Sequence, residues 1–202
     1  MNKVFTGPDT WTGGSIELLL LLSKQTPDFR ILDALKVAWA WRSLTGPFLS
    51  NRVEPSDQER AAIQDLDPEQ PQTLYGVAAL PNGSSAAFAC HVICDDDGTW
   101  IYLGSLGSLG KSYAIGAYPL EGSPTDPWAK EVYGWLAELA HWVFEQIKFS
   151  GGAIGWLAMA ELDELLSGSI PERRYQGYLV VTESQLQYLP PNVNEPLWTV
   201  DR

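Results

Sequence analysis

Few residues in this chain can do chemistry, and their spacing decides most of what they can do. The stretch Gly104-Ser105-Leu106-Gly107-Ser108-Leu109-Gly110-Lys111-Ser112 ends like a phosphate-binding loop. The nucleotide motif needs a glycine five places before the Gly of Gly-Lys, where this chain has Ser105. It also needs a helix N-terminus after the loop, whereas Ser112 to Tyr118 reads as a strand. The stretch is expected to be a connection that is open to a ligand or partner contact. Cys90, His91 and Cys94 offer metal-ligand types within five residues. Strand alternation sends both cysteines to one face and His91 to the other, and a structural zinc needs four converging ligands. In an extended segment the two cysteines lie roughly 13 Å apart, beyond disulfide reach, so both read as free thiols. A Cys-His dyad with His141 would require pairing in space. His91 and His141 are the only histidines, and neither lies in a metalloprotease or deaminase pattern. No serine occupies the nucleophile position of G-x-S-x-G. The expectation is no catalytic residue, no metal and no cofactor.

Charge is more informative. The 202 residues carry 25 Asp+Glu against 13 Lys+Arg, a formal net charge of −12. Phosphate backbones repel such a chain, because nucleic-acid affinity comes largely from Lys and Arg releasing counterions. Direct nucleic-acid binding is therefore not expected. Between Glu54 and Glu69 six acids stand against one base, Arg60, and the turn Asp95-Asp96-Asp97 adds three more acids. These read either as solubilising surface or as the footprint of a basic partner, since clustered charge speeds association with its opposite. Of nine tryptophans, Trp11, Trp100 and Trp198 lie in or near turns and tails, where an indole can anchor an interface inside a polar rim. The candidate partner-binding residues are Asp65, Asp67, Glu69, Asp95, Asp96, Asp97 and Trp100.

The elements that must position these residues follow from periodicity and turn chemistry. Ile16 and Leu18 through Leu22, after Gly13-Gly14-Ser15, predict a buried helix over about 15–25 ended by Pro27. A second helix is expected over about 29–45, stopped by Gly46-Pro47, and Ser56 with Glu59 fits a capping box for a third, exposed helix over 56–65. From Thr73 the pattern turns to β. Leu74 to Leu80, Ala86 to Cys94, Trp100 to Leu103 and Tyr113 to Tyr118 predict a four-stranded antiparallel meander, its first turn marked by Asn82-Gly83. The longest helix is expected over 127–148, with Trp128, Val132, Trp135, Leu136, Leu139, Trp142, Val143 and Ile147 on its apolar stripe. A strand at 153–157, a helix near 158–166, a strand at 175–182 and a loop-like tail from Pro190 complete the chain.

This grouping predicts a single α+β domain over 1–202. Its mostly antiparallel four- to six-stranded sheet (71–202) is covered by the long helix, with a helical N-terminal part (1–70). No secretion signal is visible, the longest aliphatic run is far too short to span a bilayer, and cysteine usage fits a reducing compartment. A cytoplasmic, membrane-free protein of unknown oligomeric state is expected.

An acidic, aromatic-rich α+β chain of this size without a catalytic signature resembles the small immunity proteins that bacteria encode beside secreted antibacterial toxins. Trp100 to Pro119, the helix opened by Pro127-Trp128 and ending at Phe149, and Ala153-Ile154-Gly155 are similar to immunity families paired with type VI secretion effectors and related polymorphic toxins. Some of those toxins carry restriction-endonuclease-like nuclease domains. The similarity covers the C-terminal half and assigns no residue by position. It implies a non-enzymatic inhibitor of a cognate toxin with a basic surface. The alternative is a small-molecule enzyme or ligand-binding domain using a pocket between the sheet and the long helix.

Overall fold

Ile16–Leu22 forms strand β1, not a helix, and all seven of its residues are buried. A strand covered on both faces loses the alternation of apolar and polar residues and reads as a continuous apolar run, which periodicity cannot tell from a buried helix. The length of the run and the glycines ahead of it were the marks of a strand. The computed structural model describes residues 3–12, 15–22, 28–67, 72–94, 99–105, 108–115, 123–156 and 167–194. Side chains are described throughout these ranges except at 28, 29, 94, 99, 100 and 102–105.

After β1 come α1 (Asp28–Trp39), β2 (Leu44–Phe48), β3 (Thr73–Ala79), β4 (Ser85–Cys94), β5 (Thr99–Ser105) and α2 (Ser108–Ser112). Then follow α3 (Pro127–Gln146), β6 (Gly151–Gly155), β7 (Gly177–Thr182) and β8 (Gln185–Leu189). The strands form one eight-stranded sheet in the order β2-β3-β4-β5-β1-β6-β7-β8, and every neighbouring pair is antiparallel. The α+β class, the antiparallel sheet and the long helix are as expected, with more strands than the expected four to six. Besides β1, β2 was missed: it begins within the last two residues of the expected second helix, which ends at Trp39, and runs on through the Gly46-Pro47 read as that helix's stop. The expected helix over 56–65 is two 3-10 turns, Pro55–Asp57 and Ile63–Asp65. There the Ser56 hydroxyl donates to its neighbour Asp57 (3.1 Å) and makes no cap. In place of a strand from 112, α2 runs to Ser112 and a turn follows at 113–114. The expected helix at 158–166, and the tail beyond 194, lie outside the described residues.

Helices α1 and α3 lie on one face of the sheet. Their apolar residues, including Leu35, Ala38, Trp39, Trp135, Leu136 and Leu139, join Leu18, Leu20, Phe88, Ile101 and Leu179 of the strands in the main core. Indoles fill its centre. Trp41 and Trp135 lie with ring centroids 4.8 Å apart, and Trp39 meets Phe88 edge-on at 5.9 Å. Gly76 of β3 makes room for Trp39, since a Cβ there would stand 2.3 Å from the ring. On the opposite face Phe5 packs with Phe48 and Ala87, flanked by Trp11 and Tyr75, and Leu19, Ala153 and Tyr178 are buried as well. The strand residues thus separate as even and odd members of β1: Ile16, Leu18, Leu20 and Leu22 face the helices.

The stripe expected on α3 holds at Trp135, which is 6% exposed, but Trp142 is 36% exposed. Instead of entering the core, its Nε1 donates to the Val37 carbonyl of α1 (2.8 Å) and leaves the ring partly open. The two tryptophans should therefore separate in urea denaturation. Trp135→Ala is expected to cost about 3–5 kcal/mol, the range for a buried aromatic. Trp142→Ala should cost about 1 kcal/mol, for one hydrogen bond and partial burial. Equal losses at both positions would contradict this placement.

Candidate functional site

The acidic run from Glu54 lies along one edge of the sheet. The Ala61 N–H donates to the Pro47 carbonyl (2.8 Å), which ties this connection to edge strand β2. Ile63, 7% exposed, anchors it in the main core. Between and beyond these ties Asp57, Glu59, Arg60, Asp65 and Asp67 are exposed. Next to them in the chain Leu49 and Val53 are 54% and 38% exposed, two of the large apolar side chains the fold leaves in solvent. The result is an acidic ledge with apolar points, tied to β2 through Ala61 and resting at Ile63–Asp65 against α1.

Glu54, the first acid of the run, has a different role. Its carboxylate accepts the backbone N–H groups of Val4 (3.0 Å), Phe5 (3.2 Å) and Thr6 (2.7 Å), and the Thr6 hydroxyl (2.7 Å). Burial would raise this carboxyl, but the Thr6 hydroxyl and the three N–H donors outweigh it and hold the group below its ordinary 4.5. An acid at this point reads from sequence as surface charge, yet it is a clamp that fastens the N-terminal segment, and with it Phe5, onto the second face of the sheet. Nothing in the spacing marks it, because its partners stand nearly fifty residues away.

Of the candidate partner-binding residues, the structure brings Asp65 and Asp67 together at the end of the ledge. Asp67 also lines a cavity of about 20 Å³ with Leu66, Gln72, His91 and Val92, room for about one water. The ledge therefore meets β4 a few residues before that strand ends at Cys94, after which Asp95, Asp96 and Asp97 follow in the chain. Those three acids and Glu69 lie outside the described residues. Trp100 is in β5, its backbone paired with Leu21 of β1 and Ile93 of β4. Its backbone alone is described.

The other chemical groups are structurally engaged. Lys111 donates to the Pro8 carbonyl, and the Ser112 hydroxyl reaches the Ser108 (3.0 Å) and Ser85 (3.2 Å) carbonyls. The Gly-Lys-Ser triplet is therefore part of α2 itself and not a loop ahead of a helix. Cys90 is buried against Trp39, and burial pushes its thiol far above the ordinary range, away from nucleophilic chemistry. Burial likewise lowers the His91 imidazole. His141 does not join Cys90: both its ring nitrogens lie against backbone carbonyls, of Ala137 (2.8 Å) and Leu186 (3.3 Å). Among the described residues no three His, Cys, Asp or Glu side chains converge on a metal-sized site. No helix there is long and apolar enough to cross a membrane. A groove of about 480 Å³ follows the flank of α3 at Lys130, Glu131, Gly134 and Glu138, facing Arg42 and Pro81. It is open and carries charges of both signs. Compared with protein-family models, curated proteins and solved structures, the chain matches none.

Glu54→Gln tests the clamp. A carboxyl held low in the folded state contributes stability that is fully present above its unfolded value and is lost as the pH falls through the folded one. The variant should lose about 1 kcal/mol at pH 7. The gap between the two proteins should stay constant down to about pH 5 and close below the ordinary 4.5. Urea melts across this range would show it, and a gap that is absent at pH 7 or widens in acid would refute the clamp.

Proposed function

We propose that this chain is an immunity protein, a cytoplasmic inhibitor that binds a cognate secreted antibacterial toxin of the nuclease class and neutralises it stoichiometrically. The observation that carries this reading is the ledge at the β2 edge. It gathers exposed Asp57, Glu59, Asp65 and Asp67 beside exposed Leu49 and Val53, on a backbone tied to the sheet and the core. A nuclease must itself present cations to bind a phosphate backbone. An acidic ledge of this kind competes for the same surface, steers encounter through long-range attraction and gains residence from apolar contacts at its centre. Asp65, Asp67, Glu69, Asp95, Asp96, Asp97 and Trp100 make up the proposed contact surface. Type VI delivery of the toxin remains part of the proposal and rests on the resemblance alone.

Co-expression with the toxic domain encoded beside this gene tests the function: growth should be rescued, and a one-to-one complex should form. Without rescue or complex, the reading fails. Kinetics then test the surface. Replacing Asp65, Asp67, Asp95, Asp96 and Asp97 with Asn should slow association and flatten its dependence on salt, because screened attraction is what those charges supply. Trp100→Ala should instead speed dissociation, by about 2 kcal/mol or more if it is an anchor. If the Asn variant associates at the wild-type rate at low salt, the contact surface lies elsewhere.

A further inference from the structure

Among the described residues strand β8 is an edge of the sheet, and the His141 side chain reaches its outer side from α3. The β7–β8 hairpin turns through Glu183 and Ser184, both with positive φ (49° and 68°), and closes on the pair Thr182 and Gln185. In a two-residue hairpin of this kind the closing pair exchanges hydrogen bonds, and the next pair, Val181 and Leu186, turns its backbone groups outward. The outward Leu186 carbonyl meets His141 Nε2 at 3.3 Å, while His141 Nδ1 meets the Ala137 carbonyl of α3 at 2.8 Å. A carbonyl oxygen only accepts. A neutral imidazole has one N–H and one lone pair, so it can satisfy one of these contacts and must aim its lone pair at the other oxygen. Only the imidazolium donates to both.

We infer that His141 is a proton-dependent latch: protonated, it bridges α3 to the open edge of β8, and deprotonated it releases one end. On α3 itself the charged neighbours are Glu138 and Glu145, three residues before and four after it, and α1, the helix packed against α3, carries Asp28, Arg30, Asp33 and Lys36. Strand β8, which it meets at Leu186, and its neighbour β7 hold no charged residue. Tyr188 of β8 is the tyrosine on the helix side, Tyr178 lying on the opposite face, and burial pushes the Tyr188 phenol well above its ordinary range, so it stays neutral. Glu183 lies in the hairpin turn. An edge strand whose outward groups are freed is a template for pairing with another chain, so the latch guards this edge in acid and loosens it as the pH rises. The inference is independent of the toxin reading, because it concerns the opposite edge of the sheet from the acidic ledge.

The test is amide hydrogen exchange by NMR on the full chain between pH 5.5 and 8, corrected for intrinsic rates. Protection across Gln185–Leu189 should fall roughly fivefold, the worth of one hydrogen bond, while β3 and β4 stay level. His141→Gln, which does not titrate in this range, should remove the pH dependence. Wild-type protection that is flat with pH, or a dependence that survives in His141→Gln, would overturn the latch. Nitrogen-15 shifts of the wild-type ring give a reading that needs no variant. Both ring nitrogens should appear protonated throughout the range in which β8 is protected, and a single protonated nitrogen there would equally overturn it.

Discussion

Everything in this fold depends on a seven-residue strand, apolar at every position but Glu17, being buried on both faces. β1 comes first in the chain, yet it lies between β5 and β6, paired along its length with β5 and over Glu17 to Leu21 with β6. Without it the sheet is two pieces: β2 to β5, neighbours in the order of the chain, and β6 to β8, built from the chain after α3. Its even residues meet the helices and its odd residues the other face, so both layers of the core close on it. Gly152 shows how tight the join is, since a Cβ there would stand 2.3 Å from the Leu19 carbonyl oxygen. Burying its six apolar residues is worth about 1.5–3 kcal/mol per fully buried side chain before entropy is counted.

The two edges of the sheet are guarded by different means, and the difference connects the fold to its surfaces. At β2, Pro47 withholds a donor and its carbonyl accepts the Ala61 N–H of the acidic connection, so the ledge proposed to meet a toxin also lies against an edge. At β8 the guard is a single imidazole reaching from α3. Glu54 belongs to the same logic on the second face: one carboxylate gathers three backbone N–H groups and fastens Phe5 over Phe48 and Ala87.

Sequence patterns reported most elements that had a clear stripe or a turn marked by glycine, and misread β1 and β8 for different reasons. The β3–β4 hairpin was legible because Asn82-Gly83 separates two apolar runs, and Gly83 has the positive φ such a turn needs (81°). Helix α3 was legible from its stripe. β8 was not read, although Leu186 and Tyr188 pack toward the core between exposed Gln185 and Gln187, because its turn uses Glu183-Ser184 in place of a glycine or asparagine. β1 failed for the opposite reason, having no polar face to set a period. In the candidate site, the density of acids was visible but their division of labour was not. Glu54 differs from Asp65 only in what folds against it, and that depends on contacts far apart in the chain.

The central claim is that β1 is the innermost strand. Native-state hydrogen exchange of the Leu18 to Leu21 amides tests it most directly, because amides paired on both sides in the middle of a sheet open only with the whole molecule. These amides should exchange with the free energy of global unfolding measured by urea, and respond to denaturant with the same slope. Exchange of β1 through a smaller, denaturant-insensitive opening while β3, β4 and α3 remain protected would contradict the account.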